Sequence, residues 1–176
     1  MAHIHEKIDF TVAIFVVDAG RVLLVLHRKL KKWLPLGGHI ELDEDPEIAA
    51  LREAREESGL EVTLVGERPP TTEPGTRALI APRFLDIHRI HETHEHIGMI
   101  YWARPSGRGE VRCAVEEHHD IRWCGREDLD RLDPPLNGGG ELLQRPEAVP
   151  PDGAAQRGIE AIEILPPAPP DVMVLL

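Results

Sequence analysis

The 176-residue chain is short of cysteine, of aromatic side chains, of cations and of long apolar runs. Each shortage excludes something. Two cysteines, Cys113 and Cys124, support neither a disulfide framework nor a cysteine-rich zinc site, so reduced and idle thiols are expected. The longest apolar run near the N-terminus, Val12–Val17, is far shorter than the ~20 residues that cross a bilayer. Glu6, Lys7 and Asp9 ahead of it do not form a secretory leader, and the chain reads as soluble, cytoplasmic and without a membrane partner. Lysine and arginine number 20 against 31 acids, for a net charge of −11, which disfavours a nucleic-acid polymer as partner.

What remains is an ordinary globular composition, 41% hydrophobic and 29% charged. One domain over residues 1–165 is expected, followed by a Pro-rich, apolar tail over 166–176. Ile8–Val17 and Arg21–His27, both rich in branched residues, flank the turn signal Asp18-Ala19-Gly20 and read as a hairpin. Further strands are expected at Val62–Val65, Phe84–Ile90, Ile97–Ala103 and Ile121–Cys124. Short and late helices are expected at Glu127–Leu132 and about Ala154–Leu165. Nine of the sixteen prolines fall between Pro134 and Pro170, with Gly138-Gly139-Gly140 among them, which marks a loop-rich region. Strands alternating with few helices imply an α/β fold with helices packed on a mixed sheet.

The best helix runs from Pro46 to Ser58. Asp45 suits its N-cap, Pro46 its first position, and Gly59 the left-handed residue that ends it. Ile48, Ala50, Leu51 and Ala54 give it an apolar side. Gly37-Gly38 just before it marks a turn or a close approach to the backbone. Between Glu41 and Glu57 stand eight acids against only Arg52 and Arg55. Glu53, Glu56 and Glu57, spaced i, i+3 and i+4, share one stripe, where like charges repel. A divalent cation reverses that repulsion, and carboxylate oxygens are the ligands Mg²⁺ prefers. Arg52 can orient one glutamate from outside the ligand set.

The 23 residues from Gly38 to Leu60 resemble the Nudix box, G-x5-E-x7-R-E-U-x-E-E-x-G-U with U bulky and apolar, at every charged and glycine position. Ala54 is smaller than the usual occupant of its site. The resemblance covers roughly Phe10 to Leu165 and implies the Nudix α/β/α sandwich with a mixed β-sheet. It also implies hydrolysis of a nucleoside diphosphate linked to another moiety, with Mg²⁺, or Mn²⁺ in its place, as cofactor. Glu53, Glu56, Glu57 and the Gly38 carbonyl match the metal-ligand positions, Arg52 the orienting arginine, and Glu44 the first box glutamate with an outer role. A carboxylate must accept the attacking water's proton. Beside the box glutamates themselves, the loop residues Glu116 and Glu117 are candidates, with Glu117 preferred.

For substrate contacts we expect Trp33, as a stacking ring, together with His94 and His96. Trp123, Tyr101 and Trp102 are better placed as core. His88, His91, His94 and His96 form a second cluster whose spacing matches no recognised metal motif. If the segment is extended, His94 and His96 share one face and Glu95 takes the other. Thr76, Arg77 and Ala78 stand where dinucleoside polyphosphate hydrolases carry a tyrosine, and the signatures of NADH and coenzyme A hydrolases are missing. A nucleoside triphosphate, oxidised or not, cleaved to monophosphate and pyrophosphate is therefore the preferred reaction. ADP-ribose or a nucleotide sugar is the alternative, and a non-catalytic nucleotide-binding regulatory domain is the rival class. Prenyl diphosphate isomerisation needs a cysteine ahead of the box, and both cysteines follow it. A homodimer is the expected assembly, with Val172–Leu176 as an apolar segment available for pairing.

Overall fold

The computed structural model describes residues 5–71, 73–107, 109–132 and 154–165. The glycine run at 138–140 and the 166–176 tail lie outside the described residues. The elements, in chain order, are β1 (Ile8–Asp18), β2 (Arg21–His27), β3 (Trp33–Leu34), β4 (Leu36–His39), α1 (Pro46–Ser58), β5 (Val62–Val65), β6 (Phe84–His91), β7 (His94–Pro105), β8 (His118–Cys124), α2 (Arg126–Leu132) and α3 (Ala154–Ile164).

The long strand β1 links two sheet regions. Along Thr11–Ile14 it pairs antiparallel with β4, and along Ile8–Val16 it pairs parallel with β7. The far edge of β7 carries β6 against Glu95–Ile100 and β5 against Trp102–Pro105. At its end β1 turns through Ala19 and Gly20, with φ of 46° and 71°, into β2. Positive φ at both central residues matches the twist of a two-residue hairpin. Strand β2 in turn pairs with β3 and β8.

Strict alternation sorts the strand residues onto two faces. Val12, Ile14, Val16, Leu23, Val25, Tyr101 and Ala103 face α1, where Ala49, Ala50 and Ala54 meet them. Phe15, Val17, Val22, Leu24, Ile100 and Trp102 face α2 and α3, where Leu129, Ile159 and Leu165 close the second layer. This is the expected α/β/α sandwich on a mixed sheet.

Two local expectations are corrected. Gly37-Gly38 does not turn the chain; it lies within β4, paired with Ala13 and Val12. Close approach is the reading that holds there. On α1, Ile48 and Leu51 are 48% and 38% exposed, while the alanines and Glu47, Glu53 and Glu57 face inward. Alanine lets the helix lie close to the sheet, and Glu47 is held there by Arg68 and the Ile80 N–H. The capping holds as expected: the Asp45 carboxylate accepts from the Glu47 and Ile48 N–H groups, and Gly59 takes φ of 72°.

Candidate active site

The site forms where β4 runs beneath the last turns of α1. At both glycines of β4 a side chain is excluded. A Cβ on Gly37, whose φ is +150°, would overlap the Val12 carbonyl oxygen, and one on Gly38 would stand 2.7 Å from Cδ of Glu53. Backbone takes that space at Gly37 and a carboxylate takes it at Gly38, and each glycine meets one box glutamate. Glu53 lies against Gly38, and Oε2 of Glu57 accepts the Gly37 N–H at 2.8 Å.

Arg52 ties this region together with all five of its N–H donors. Its Nε and Nη2 grip both oxygens of Glu44 at 2.6 and 2.8 Å, and Nη2 also donates to the His39 carbonyl at 3.0 Å. Nη1 donates to Glu53 Oε1 at 2.8 Å and to Glu56 Oε2 at 3.1 Å. The hydrogen bonds from Arg52 hold the Glu44 carboxyl below the usual carboxylate range. Glu44 therefore fixes the guanidinium, and the guanidinium fixes two of the box glutamates.

Burial works the other way on two of the box glutamates. Glu53 and Glu57 are only 6% and 4% exposed. Burial pushes the Glu53 carboxyl up to about 7, against the pull of Arg52. Burial raises Glu57 as well, against its hydrogen bond to His118. Arg52 is shared among Glu44, Glu53 and Glu56, and burial makes negative charge on Glu53 and Glu57 costly, so a cation beside them would hold both ionised. The donors are all hard oxygens, and Glu56 keeps the set open to solvent. That chemistry fits a divalent cation of the Mg²⁺ or Mn²⁺ class.

His118 was not anticipated. Its Nε2 lies 2.7 Å from Glu57 Oε1, both side chains being buried. Strand β8 begins at His118, three residues before the apolar Ile121 that signals it, so apolar patterning does not reach the inward histidine. One ligand atom each from Glu57, Glu117 and His118 lies within 4.8 Å of the others, so the turn before β8 brings exposed Glu117 to the box. Trp33 is not brought to the box glutamates: it is half-buried against the layer that faces α2 and α3, with the Arg122 guanidinium 4.5 Å from its ring centre. His94 and His96 are not brought to the box glutamates. They lie on the opposite face of the sheet, with His94 buried and His96 half-buried.

A family model described as NUDIX domain matches residues 7–144. The chain is similar to a hydrolase of the NUDIX family from Clostridium perfringens, 32% identical, with 89% of this chain and 97% of that one covered and a TM-score of 0.68. A MutT NUDIX hydrolase from Burkholderia pseudomallei is 19% identical over 89% of this chain and 98% of its own, with a TM-score of 0.57. A MutT protein from Methanosarcina mazei Go1 is 17% identical over 91% and 96%, also at 0.57. The last two share the fold.

Proposed function

The chain belongs to the Nudix family of hydrolases, and from that premise we propose that it cleaves a nucleoside triphosphate to monophosphate and pyrophosphate. As a Nudix pyrophosphohydrolase it acts on nucleoside diphosphate-linked substrates. The observation that carries the proposal is the buried pair Glu53 and Glu57 set against the Gly37-Gly38 strand, with Arg52 bridging Glu44, Glu53 and Glu56. The choice of a triphosphate is supported by Thr76, Arg77 and Ala78 standing in place of the dinucleoside polyphosphate tyrosine, and by the missing signatures of other subfamilies.

In this reading Glu53, Glu56, Glu57 and the Gly38 carbonyl hold Mg²⁺, or Mn²⁺ in its place. The bound ion supplies positive charge to the substrate's phosphate oxygens and makes water more acidic. Arg52 keeps Glu53 and Glu56 in their ligating orientation, and His118 does the same for Glu57. Glu117 takes the proton of the attacking water as oxygen bonds to phosphorus, and the bridging P–O bond breaks with its electron pair leaving on pyrophosphate. No helix among the described residues is long and apolar enough to cross a membrane.

A panel of dNTPs, oxidised dGTP, ADP-ribose, nucleotide sugars and dinucleoside polyphosphates, each with Mg²⁺ or Mn²⁺, tests the substrate class. The highest kcat/KM on a triphosphate is expected. A preference for ADP-ribose or a sugar nucleotide would overturn it.

A further inference from the structure

On the sheet face turned away from α1, the apolar layer gives way toward the start of β1 to polar side chains. Asp9 and Thr11 of β1, His39 of β4, and His94 and His96 of β7 share this face through the registers Thr11↔His39 and Asp9↔His96. Asp9 is fully buried and His94 nearly so. Such groups are stable inside only when each polar atom has a counterpart.

Their arrangement is specific. The His5 N–H donates to Asp9 Oδ1 at 2.7 Å, which turns Oδ2 toward two imidazoles. Oδ2 lies 3.2 Å from His39 Nε2 and 3.3 Å from His94 Nε2. His94 Nδ1 lies 3.3 Å from the Glu6 carbonyl oxygen, which can only accept, so Nδ1 carries a proton. Its other ring nitrogen, Nε2, is the one set against the carboxylate oxygen. A divalent cation seated between Nε2 and Oδ2 would take both as ligands. A histidine that donates one ring N–H to a backbone carbonyl while the other nitrogen faces a carboxylate is arranged as metal-ligating histidines are. His96 joins them: one ligand atom each of Asp9, His94 and His96 lies within 4.8 Å of the other two. Tetrahedral zinc, with nitrogen and oxygen ligands at about 2.0–2.1 Å, separates its ligand atoms by roughly 3.3–3.4 Å. Asp9 and His94 already stand at that separation.

We infer that Asp9, His94 and His96 form a second metal site, distinct from the box, for a divalent transition metal of the zinc class, with His39 holding the Asp9 carboxylate. Two imidazoles and one carboxylate suit zinc or iron better than Mg²⁺, which favours oxygen. The site is separate from the box because Gly38 faces Glu53 while the next residue, His39, faces the other way. Metal there joins β1 to β7 and, through Asp9, to β4 and the segment before β1. No short sequence motif betrays the site, since its residues meet only through the β4–β1–β7 register.

The test uses the full-length, untagged chain with zinc added in the presence of excess Mg²⁺ and then dialysed. One retained zinc per chain by mass spectrometry is expected. In long-range ¹⁵N spectra the ring nitrogens of His94 and His96 are expected to shift together while those of His118 stay in place. His96→Gln, at a half-buried position, should keep its far-ultraviolet circular dichroism and lose zinc affinity at least ~10-fold. Glu56→Gln should retain zinc like the parent. Failure to retain zinc, a shift confined to His118, or His96→Gln binding zinc as tightly as the parent would each overturn the assignment.

Discussion

Nε2 of His118 and Oε1 of Glu57 are 2.7 Å apart, 61 residues apart in the chain, and together they close the inner end of the box. Glu57 cannot reorient while His118 holds Oε1 and the Gly37 N–H holds Oε2. Truncating the histidine leaves a buried carboxylate half-satisfied. His118→Ala should lower Mn²⁺ affinity and kcat by about 10–100-fold, with His118→Gln restoring part of both. Electron paramagnetic resonance titration of Mn²⁺ reads the affinity directly, and an unchanged value in His118→Ala would remove the histidine from the site.

Arg52 uses five donors on five acceptors, and a lysine offers three from one nitrogen. Arg52→Lys keeps the charge but loses the two-pronged grip on Glu44. A fall in kcat/KM of about 10–100-fold is expected, carried by weaker Mn²⁺ binding. Equal kcat/KM in the lysine variant would mean that charge alone suffices.

Gly38→Ala places a methyl group against the Glu53 carboxyl group. The backbone conformation tolerates alanine, so the effect is steric. We expect a loss of about 1–3 kcal/mol in stability and weaker metal binding, whereas Gly20→Ala, where a Cβ meets nothing, should leave metal binding unchanged. Calorimetry and Mn²⁺ titration on both variants check this.

The raised Glu53 carboxyl fixes the sign of a pH effect. Its value moves from 4.5 to about 7 on folding, so at intermediate pH the folded state binds the extra proton. Stability from this group is present below pH ~4.5 and declines as pH rises toward ~7. In the metal-free protein the parent should therefore lose Tm over that window relative to Glu53→Gln, and Mn²⁺ should reverse the loss. Parallel Tm profiles for the two proteins would contradict the buried charge.

Much of this architecture is legible from residue order alone. The Asp45-Pro46 cap, the Gly59 stop and the Ala19-Gly20 hairpin carry local signals, and the box spacing depends on one helix and its entry loop. Other features depend on contacts that local patterning does not encode. Strand β4 is four residues with two glycines, and it exists because β1 pairs with it. Ile48 and Leu51 turn outward because alanines and partnered glutamates fill the inner face of α1. His118 and Asp9 sit at strand ends, where burial comes from another element and not from alternation.

Glu117 reaches the box from the turn before β8, and its removal separates proton transfer from metal binding. Glu117→Gln should lower kcat by about 10²–10⁴-fold while Mn²⁺ affinity stays within a few-fold of the parent. An unchanged pH–rate profile in this variant would assign the base to a box glutamate.

In the proposed reaction the box glutamates direct cleavage of a triphosphate between its α and β phosphates. Phosphorus NMR of the reaction mixture from a dNTP with Mg²⁺, for the parent and for Glu56→Gln, tests it most directly. Nucleoside monophosphate and pyrophosphate in equal amounts are expected from the parent, with turnover reduced by several powers of ten in the variant. Nucleoside diphosphate and orthophosphate as products, or undiminished turnover in Glu56→Gln, would contradict it.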